Sequence, residues 1–166
     1  MAEALTLSQN QSKAEIYEEI LPQIESIISG EDNLIANLAN ITAILDQAFG
    51  HLWTGFYIAE GKTLVLGPFQ GPLACTRIPV SPTPRGVCGA AAAEQETQLV
   101  PDVDKFPGHI ACSSAARSEI VVPLVHDQKT QLVLDIDSAS LNTFDETDQL
   151  YLERVIGLIA KLSVVK

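Results

Sequence analysis

Two short runs of alternating residues constrain the fold more than any other part of the sequence. The runs are Glu119 to Leu124 and Leu132 to Asp137, and in each of them an apolar residue occupies every second position. This period of two is typical of β-strands with one face in the core, and the polar segment 126–130 between them suits a hairpin loop. If both apolar sets face the core, Ile120 lies opposite Ile136, because a slip of one residue would turn the leucines towards water.

The same pairing gathers three carboxylates on the other face of the predicted hairpin. Glu119 would lie opposite Asp137, and Asp135 would lie one pair further along, opposite Val121. Like charges in opposite positions destabilise a sheet, so such a cluster is expected either to retain a proton or to bind a cation. A solvated strand face is the simpler interpretation of any one of these acids. Three acids directly after a loop that contains Cys112 favour the functional interpretation.

The chain has three cysteines, Cys75, Cys88 and Cys112. An odd number without a secretory signal indicates reactive or buried thiols rather than a disulfide framework. There is no Cys-x-x-Cys motif and no Cys/His spacing typical of zinc, so we expect no metal site. Cys88 comes just before an alanine-rich predicted helix, whose N-terminal dipole would favour a thiolate. Packing as a small buried residue explains Cys88 equally well.

Cys112 lies in a long segment without predicted secondary structure, residues 101–118, and loops of this length are usually functional. His109 lies three residues before Cys112 and could lower the pKa of its thiol. An exposed loop histidine is the commoner case and is the interpretation we prefer. Arg117 is the second nearby cation. An unperturbed thiol is only a few per cent ionised at neutral pH, so Cys112 needs Arg117 or the substrate nearby to become a thiolate.

Composition limits the class of protein. The 166 residues suit one domain, and with 46% hydrophobic residues the chain can build a sizeable core. A net charge of −11 repels phosphate backbones, so nucleic acid is not an expected partner. No apolar run reaches membrane-spanning length, and the N-terminus lacks a basic region followed by an apolar one. We therefore expect a cytoplasmic protein that does not bind a membrane.

The remaining periodicities predict an α+β fold, with a central antiparallel sheet and helices packed mainly on one side. The predicted single domain, 1–166, divides into N-terminal helices (1–50), the sheet with its active-site loops (51–144) and a C-terminal helix (145–166). Trp53 and Tyr57 share one face of the first strand, either as core residues or as an aromatic wall for the apolar end of a small ligand. The other predicted elements are helices 12–29 and 33–50, strands 53–58 and 63–66, a loop at 67–72, strand 77–80, helix 90–95 and strand 99–100. A last helix is predicted from about Asp145 to Val164, with Asn142 or Thr143 as its cap and Leu150 facing inward.

Six segments of the chain carry a specific pattern. They are WTGFYI at 53–58, LVLGPFQG at 64–71, ACTRIPV at 74–80, RGVCGAA at 85–91, GHIACSSAARSEIVVPL at 108–124 and LVLDIDS at 132–138. Together they resemble the free methionine-(R)-sulfoxide reductases, which are GAF domains. The resemblance covers most of the chain from Trp53 to Phe144 and includes all three cysteines. One departure is visible, because the link at 81–84 is longer than is usual between the first two cysteine motifs.

The resemblance implies a single GAF domain that reduces free L-methionine (R)-sulfoxide without a metal or an organic cofactor. Cys112 would be the nucleophile that becomes a sulfenic acid, and Cys75 would resolve it as a disulfide. Cys88 would line the pocket or act as a second thiol. Thioredoxin would reduce the disulfide, and the enzyme would be a homodimer.

The three carboxylates and the aromatic pair would then form the substrate-binding site. Glu119, Asp135 and Asp137 would bind the ammonium group of the substrate and protonate the sulfoxide oxygen, because crowded carboxyl groups hold a proton near neutral pH. Trp53 would enclose the methyl group, with Tyr57 beside it. Two other functions are compatible with these residues, a non-catalytic GAF sensor of a small ligand and a thiol peroxidase that uses the same two cysteines.

Overall fold

One antiparallel sheet and four helices make up the part of the chain that the computed structural model describes, residues 4–110 and 114–162. The helices are α1 (Lys13–Ile28), α2 (Leu34–Phe49), α3 (Gly86–Glu94) and α4 (Glu146–Ala160). The strands are β1 (Trp53–Glu60), β2 (Thr63–Gln70), β3 (Arg77–Pro79), β4 (Gln98–Val100), β5 (Ser118–His126) and β6 (Lys129–Ser138). A single 3-10 turn, Val103–Lys105, follows β4. The predicted α+β class is confirmed.

The predicted hairpin is formed by β5 and β6, and its register is the one that the alternation predicted. Ile120 lies opposite Ile136, and Glu119 lies opposite Asp137. The turn is shorter than the predicted loop 126–130, because it consists of Asp127 and Gln128 alone. Both residues have positive φ values, 49° and 59°, which gives the two-residue turn whose twist matches that of the flanking strands.

The hairpin occupies the middle of the sheet, whose strand order is β3-β2-β1-β6-β5-β4. Strand β1 pairs antiparallel with β6, so that Trp53 lies opposite Asp137 and Gly55 lies opposite Asp135. Residues directly opposite each other in an antiparallel pair point to the same side of the sheet. The aromatic residue at the start of β1 therefore lies on the same face as the carboxylates of β6.

Three helices cover the first face of the sheet. Helices α2 and α4 place their apolar stripes against it, α1 packs on these two helices, and the first core includes Ile120, Val122, Leu134 and Ile136 of the hairpin. All four of these strand residues are at most 1% exposed. Across residues 4–110 and 114–162, no helix combines the length and the apolar character that a membrane span requires.

The second face, which carries the carboxylates, is also buried. Helix α3 packs on it through Val87, Cys88 and Ala91, and a second core joins these residues to Val121 and Val133 of the hairpin. This face is not solvated, so the simpler interpretation of the acidic residues is wrong. A sheet buried on both faces gives charged groups on its strands a low-dielectric environment.

The structure differs from the sequence prediction in the region 67–72. Strand β2 continues to Gln70, whereas a loop was predicted from Gly67. Gly67 and Pro68 lie where the β1–β2 pairing shifts register by one residue, and a bulge of this kind accommodates glycine and proline in a strand. A side chain at Gly67 would contact the carbonyl oxygen of Phe56 at 2.9 Å, which explains why the bulge requires glycine.

Two predicted helix boundaries also differ. Helix α3 begins at Gly86, four residues before the predicted start at Ala90. Helix α4 is capped by Asp145, whose side chain accepts hydrogen bonds from two backbone N–H groups of the first turn, and not by Asn142 or Thr143. Leu150 was predicted to face inward, but it is 51% exposed.

One buried carboxylate connects the first and last helices. Asp148 of α4 is fully buried and accepts a hydrogen bond from the hydroxyl of Tyr17 at 2.9 Å and one from the backbone N–H of Asp145 at 2.9 Å. The ammonium group of Lys13 also donates to it and forms an ion pair. A buried charge that is paired and fully hydrogen-bonded in this way is compatible with a stable core.

Removal of this carboxylate is expected to destabilise the fold strongly. The Asp148→Ala variant should lose on the order of 3 kcal/mol of unfolding free energy in urea titrations, because it leaves the buried hydroxyl of Tyr17 and the backbone N–H of Asp145 without their acceptor and removes one of the two acidic partners of Lys13. Tyr17→Phe should lose only about 1 kcal/mol, the net value of one hydrogen bond. Asp32→Ala, at an exposed position between α1 and α2, is the control. An Asp148→Ala loss no larger than that of the control would contradict the role of this contact.

Candidate active site

A cavity opens between helix α3 and the second face of the sheet. Its walls come from strands β3, β5 and β6, from the start of α3 and from the segment that precedes β5. The lining residues of the described chain are Ile78, Arg85, Gly86, Val87, Cys88, His109, Ile110, Ala116, Glu119, Asp135 and Asp137. The three carboxylates predicted from the hairpin thus meet one of the three cysteines in a single cavity.

The hairpin register places the three carboxylates. Glu119 and Asp137 lie directly opposite each other on β5 and β6, and Asp135 lies two residues before Asp137 on the same face. Glu119 and Asp135 are each only 6% exposed, and Asp137 is half-buried. The thiol of Cys88 lies 4.0 Å from Oε1 of Glu119. The prediction that these acids lie together is confirmed by their positions.

Burial and mutual repulsion change the protonation of the three acids. Burial, with the neighbouring charges of Asp135 and Asp137, raises the pKa of Glu119 well above its ordinary value. Burial and the charge of Asp135 raise the pKa of Asp137 to about 8. Burial also raises the pKa of Asp135, to about 6, but hydrogen bonds from Cys88 and Glu119 act in the opposite direction. Near neutral pH the cluster therefore contains both a carboxylate, Asp135, and carboxyl groups that hold protons.

Cys88 lies at the start of α3, as predicted, but its environment opposes a thiolate. Burial raises the pKa of the Cys88 thiol, and the charges of Asp135 and Glu119 raise it further. These effects outweigh the dipole of a helix of nine residues, and they favour the interpretation of Cys88 as a buried neutral thiol. Gly89, the next residue, lets α3 approach the sheet closely, because a side chain there would lie 2.8 Å from the carbonyl oxygen of Pro79.

Cys75 lies in the segment between β2 and β3, packed against the same core as Cys88. It is disulfide-bonded, whereas Cys88 is a free thiol. The hydroxyl of Tyr57 donates a hydrogen bond of 2.9 Å to the carbonyl oxygen of Cys75 and so fixes the backbone at this point. The longer link at 81–84 is exposed, and Cys75 and Cys88 on either side of it still pack against the same core. Cys112, the predicted nucleophile, lies outside the described residues.

Trp53 forms an aromatic layer next to the carboxylates. Its ring stacks on Tyr57 at a centroid distance of 5.8 Å and on Phe69 at 5.4 Å. The indole lies over Gly55, where a side chain would meet it at 2.5 Å. Neither Trp53 nor Tyr57 is among the described residues that line the cavity, although Trp53 is paired across the sheet with Asp137. The buried Nε1 of Trp53 has no hydrogen-bond partner in the described part of the chain.

Two polar residues that the sequence analysis did not assign to the site line the cavity, Arg85 and His109. His109 is half-buried and not the exposed loop histidine that we preferred, and its buried Nδ1 has no partner within residues 4–110 and 114–162. Arg85, an exposed residue just before α3, also lines the cavity, whereas Arg117 is exposed and does not. The position of Arg85 three residues before Cys88 was the available signal. That signal was weak, because only the folded chain brings residues 85 and 109 together.

Proteins of known class share this fold and about half of this sequence. The GAF domain family matches residues 33–162. Free methionine-R-sulfoxide reductase of Saccharomyces cerevisiae is 43% identical over 99% of this chain and 95% of its own length. GAF domain-containing protein A of Dictyostelium discoideum is 54% identical over 96% and 99% of the two chains. A solved structure of free methionine-R-sulfoxide reductase from Neisseria meningitidis, in complex with its substrate, is 52% identical over 98% and 96% of the two chains, with a TM-score of 0.92.

The chain belongs to the free methionine-R-sulfoxide reductase family of GAF domains. Membership in this family agrees with the resemblance carried by the six sequence segments and with the predicted single GAF domain. The family membership also makes the chain an oxidoreductase, so the cavity is a candidate active site. Its chemistry must be compatible with a thiol and with acidic groups that carry protons.

The raised pKa of Asp137 predicts how the stability of this GAF domain depends on pH. Because the folded protein holds the Asp137 proton to about pH 8 and the unfolded chain releases it at an ordinary carboxyl pKa, the unfolding free energy should fall as the pH rises between these values. Asp137→Asn removes this ionisation. At pH 9 the variant should be more stable than the wild type, on the order of 2 kcal/mol, since one pKa unit is worth about 1.4 kcal/mol and relaxation cancels part of the shift.

Urea unfolding measured from pH 5 to pH 9 checks this prediction. The stability curves of Asp137→Asn and wild type should diverge as the pH rises, and those of the exposed control Asp32→Asn should stay parallel to the wild type. Parallel curves for Asp137→Asn would mean that the carboxyl group ionises as freely in the folded protein as in the unfolded chain.

Proposed function

We propose that the chain reduces free L-methionine (R)-sulfoxide to methionine, with Cys112 as the nucleophile. The observation that carries the proposal is the buried cluster of Glu119, Asp135 and Asp137, which has no cationic partner among the ion pairs of the described residues. A free amino acid supplies such a cation in its ammonium group. The relatives that are named free methionine-R-sulfoxide reductases support the same substrate.

The protonation states of the cluster suit the two requirements of the reaction, binding of the ammonium group and protonation of the sulfoxide oxygen. Asp135, the acid that ionises most readily in the cluster, binds the ammonium group of the substrate. Glu119 and Asp137 hold protons near neutral pH, and one of them protonates the sulfoxide oxygen, which is a poor leaving group as an oxide. Trp53 and Tyr57 do not line the cavity in this structure, but their aromatic layer adjoins Asp137, and we expect the methyl group of the substrate to lie on this side.

The redox steps follow from sulfur chemistry. The thiolate of Cys112 attacks the sulfoxide sulfur, the oxygen passes to the cysteine as a sulfenic acid, and methionine leaves as the reduced product. The thiol of Cys75 then attacks the sulfenic sulfur, which forms a disulfide and releases water. A thioredoxin dithiol reduces this disulfide by exchange and is itself oxidised. The disulfide at Cys75 and the free thiol at Cys88 support Cys75 as the resolving cysteine.

The surface around Cys75 suits a protein reductant. Leu73, two residues before Cys75, is 90% exposed, which makes it the most exposed of the large apolar residues that the structure describes. The segment 61–93 carries Lys62, Arg77 and Arg85 and no acidic residue, although the whole chain has a net charge of −11. We expect the reductant to meet this apolar and basic edge. We also propose a homodimer, for which the partly exposed Ile27 and Ile35 at the ends of the first two helices offer apolar contacts.

Single-turnover chemistry separates the roles of the cysteines. Cys112→Ser should produce no methionine even in stoichiometric amounts. Cys75→Ser should produce about one equivalent of methionine per chain but should lose turnover with thioredoxin, because its sulfenic acid cannot be resolved. Stoichiometric methionine from Cys112→Ser would refute the nucleophile assignment. Unchanged thioredoxin turnover in Cys75→Ser would transfer the resolving role to Cys88, and Cys88→Ser measured in both assays provides the comparison.

Substrate competition tests the carboxylate cluster as the specificity element. The free R epimer should be reduced faster than the S epimer, and far faster than N-acetyl-methionine sulfoxide, whose acylated nitrogen carries no charge. Hydrogen peroxide should be a poor substrate for the same reason, since it has no cation to bind. Initial rates with thioredoxin as reductant give the comparison. Peroxide turnover equal to that of the free sulfoxide would favour a thiol peroxidase, and ligand binding without turnover would favour a sensor.

A further inference from the structure

Three residues of the cavity form a ligand set that is suited to a metal ion. Cys88 on α3, Glu119 on β5 and Asp135 on β6 each offer one atom, and these three atoms all lie within 4.8 Å of one another. All three residues are buried, with exposures of 3%, 6% and 6%. They also line the same cavity, so an ion bound between them would retain an open coordination position towards that cavity.

A second observation is that one buried oxygen atom of the set lacks a partner among the described residues. The buried Oδ1 atom of Asp135 has no hydrogen bond to any of the residues that the structure describes. None of the ion pairs within residues 4–110 and 114–162 involves Glu119 or Asp135. Buried polar oxygen atoms are nearly always satisfied in proteins, so an unsatisfied carboxylate oxygen aimed into a cavity points to a ligand with a positive charge.

The donor types select the kind of cation. Two carboxylate oxygens and one thiolate sulfur suit zinc and its neighbours in the first transition series, whereas magnesium and calcium prefer oxygen donors alone. Zinc bonds of about 2.0 to 2.3 Å hold ligand atoms roughly 3.5 Å apart in a tetrahedron. Small rotations of three side chains would close the set around such an ion.

We propose that Cys88, Glu119 and Asp135 bind a thiophilic divalent cation of the zinc type, and that this ion excludes the sulfoxide substrate from the cavity. The ion is an inhibitor and not a cofactor, because it occupies the carboxylates that the substrate needs. The metal site itself stands on the geometry of the three side chains. The exclusion of substrate rests on the proposed function, which assigns the same carboxylates to the ammonium group.

Cobalt(II) provides the test of the metal site. In the full-length double variant Cys75→Ser/Cys112→Ser, Cys88 is the single remaining cysteine. This variant should bind about one equivalent of cobalt with a near-ultraviolet thiolate charge-transfer band, and zinc should displace the cobalt. Adding Cys88→Ser or Cys88→Ala should abolish the band. Adding Glu119→Gln or Asp135→Asn should weaken binding at least tenfold, whereas adding Asp32→Asn should leave it unchanged.

The outcomes separate the metal site from the proposed function. Circular dichroism of each variant shows that it is folded before titration. A missing charge-transfer band, or cobalt binding that is unaffected by both Glu119→Gln and Asp135→Asn, would overturn the metal site. If the site forms, free methionine sulfoxide should displace the cobalt, and zinc should raise the KM of the wild-type enzyme without changing kcat. A bound metal that coexists with the sulfoxide would overturn the exclusion and leave the metal site intact.

Discussion

The burial of three carboxyl groups on the central hairpin is the constraint on which the rest of the structure depends. Glu119 and Asp135 leave water almost completely, and an isolated ionised carboxylate in such a place would cost several kcal/mol. Burial raises the pKa values of both groups, so Glu119 keeps its proton near neutral pH, and a hydrogen bond from Glu119 to Asp135 limits the rise in the pKa of Asp135. A sheet that is packed on both faces makes this possible, because the helical layer on the first face supplies the apolar burial that offsets the desolvation of the second.

A second buried acid, Asp148, has a different environment from Asp135. The difference between them distinguishes a structural carboxylate from a functional one. Asp148 accepts hydrogen bonds from a tyrosine hydroxyl, a lysine and a backbone N–H group, so every part of its charge is compensated. Asp135 is buried to a similar degree, but one of its oxygens has no partner among the described residues. Selection for stability alone would favour a fully hydrogen-bonded carboxylate such as Asp148. The arrangement at Asp135 is reasonable only where a ligand completes it.

Short sequence patterns predict the parts of this fold that depend on residues close together in the chain. The alternation of β5 and β6 fixed the register of Glu119 against Asp137, because period-two burial allows only one pairing. The start of α3 was missed because its small residues carry no apolar stripe, and its glycines resemble a loop. The cavity wall at Arg85 and His109 has no local signal at all. It arises where the backbone N–H of Gly86 bonds to the carbonyl oxygen of Gly108, a contact between distant parts of the chain.

An unsatisfied carboxylate cluster attracts cations in general, so its selectivity must come from what surrounds it. Acylation of the substrate nitrogen removes the charge that the cluster needs, and a buried polar site left without its partner discriminates strongly against such an analogue. If the cluster binds the ammonium group as proposed, a methionine sulfoxide inside a protein chain, whose nitrogen is an uncharged amide, is rejected on the same ground before the size of the cavity matters. The thiol of Cys88 does not help to hold an ammonium group, but it adds the soft donor that a transition metal prefers. The side chains that we propose to bind a free amino acid are therefore also the ones that we propose to bind zinc.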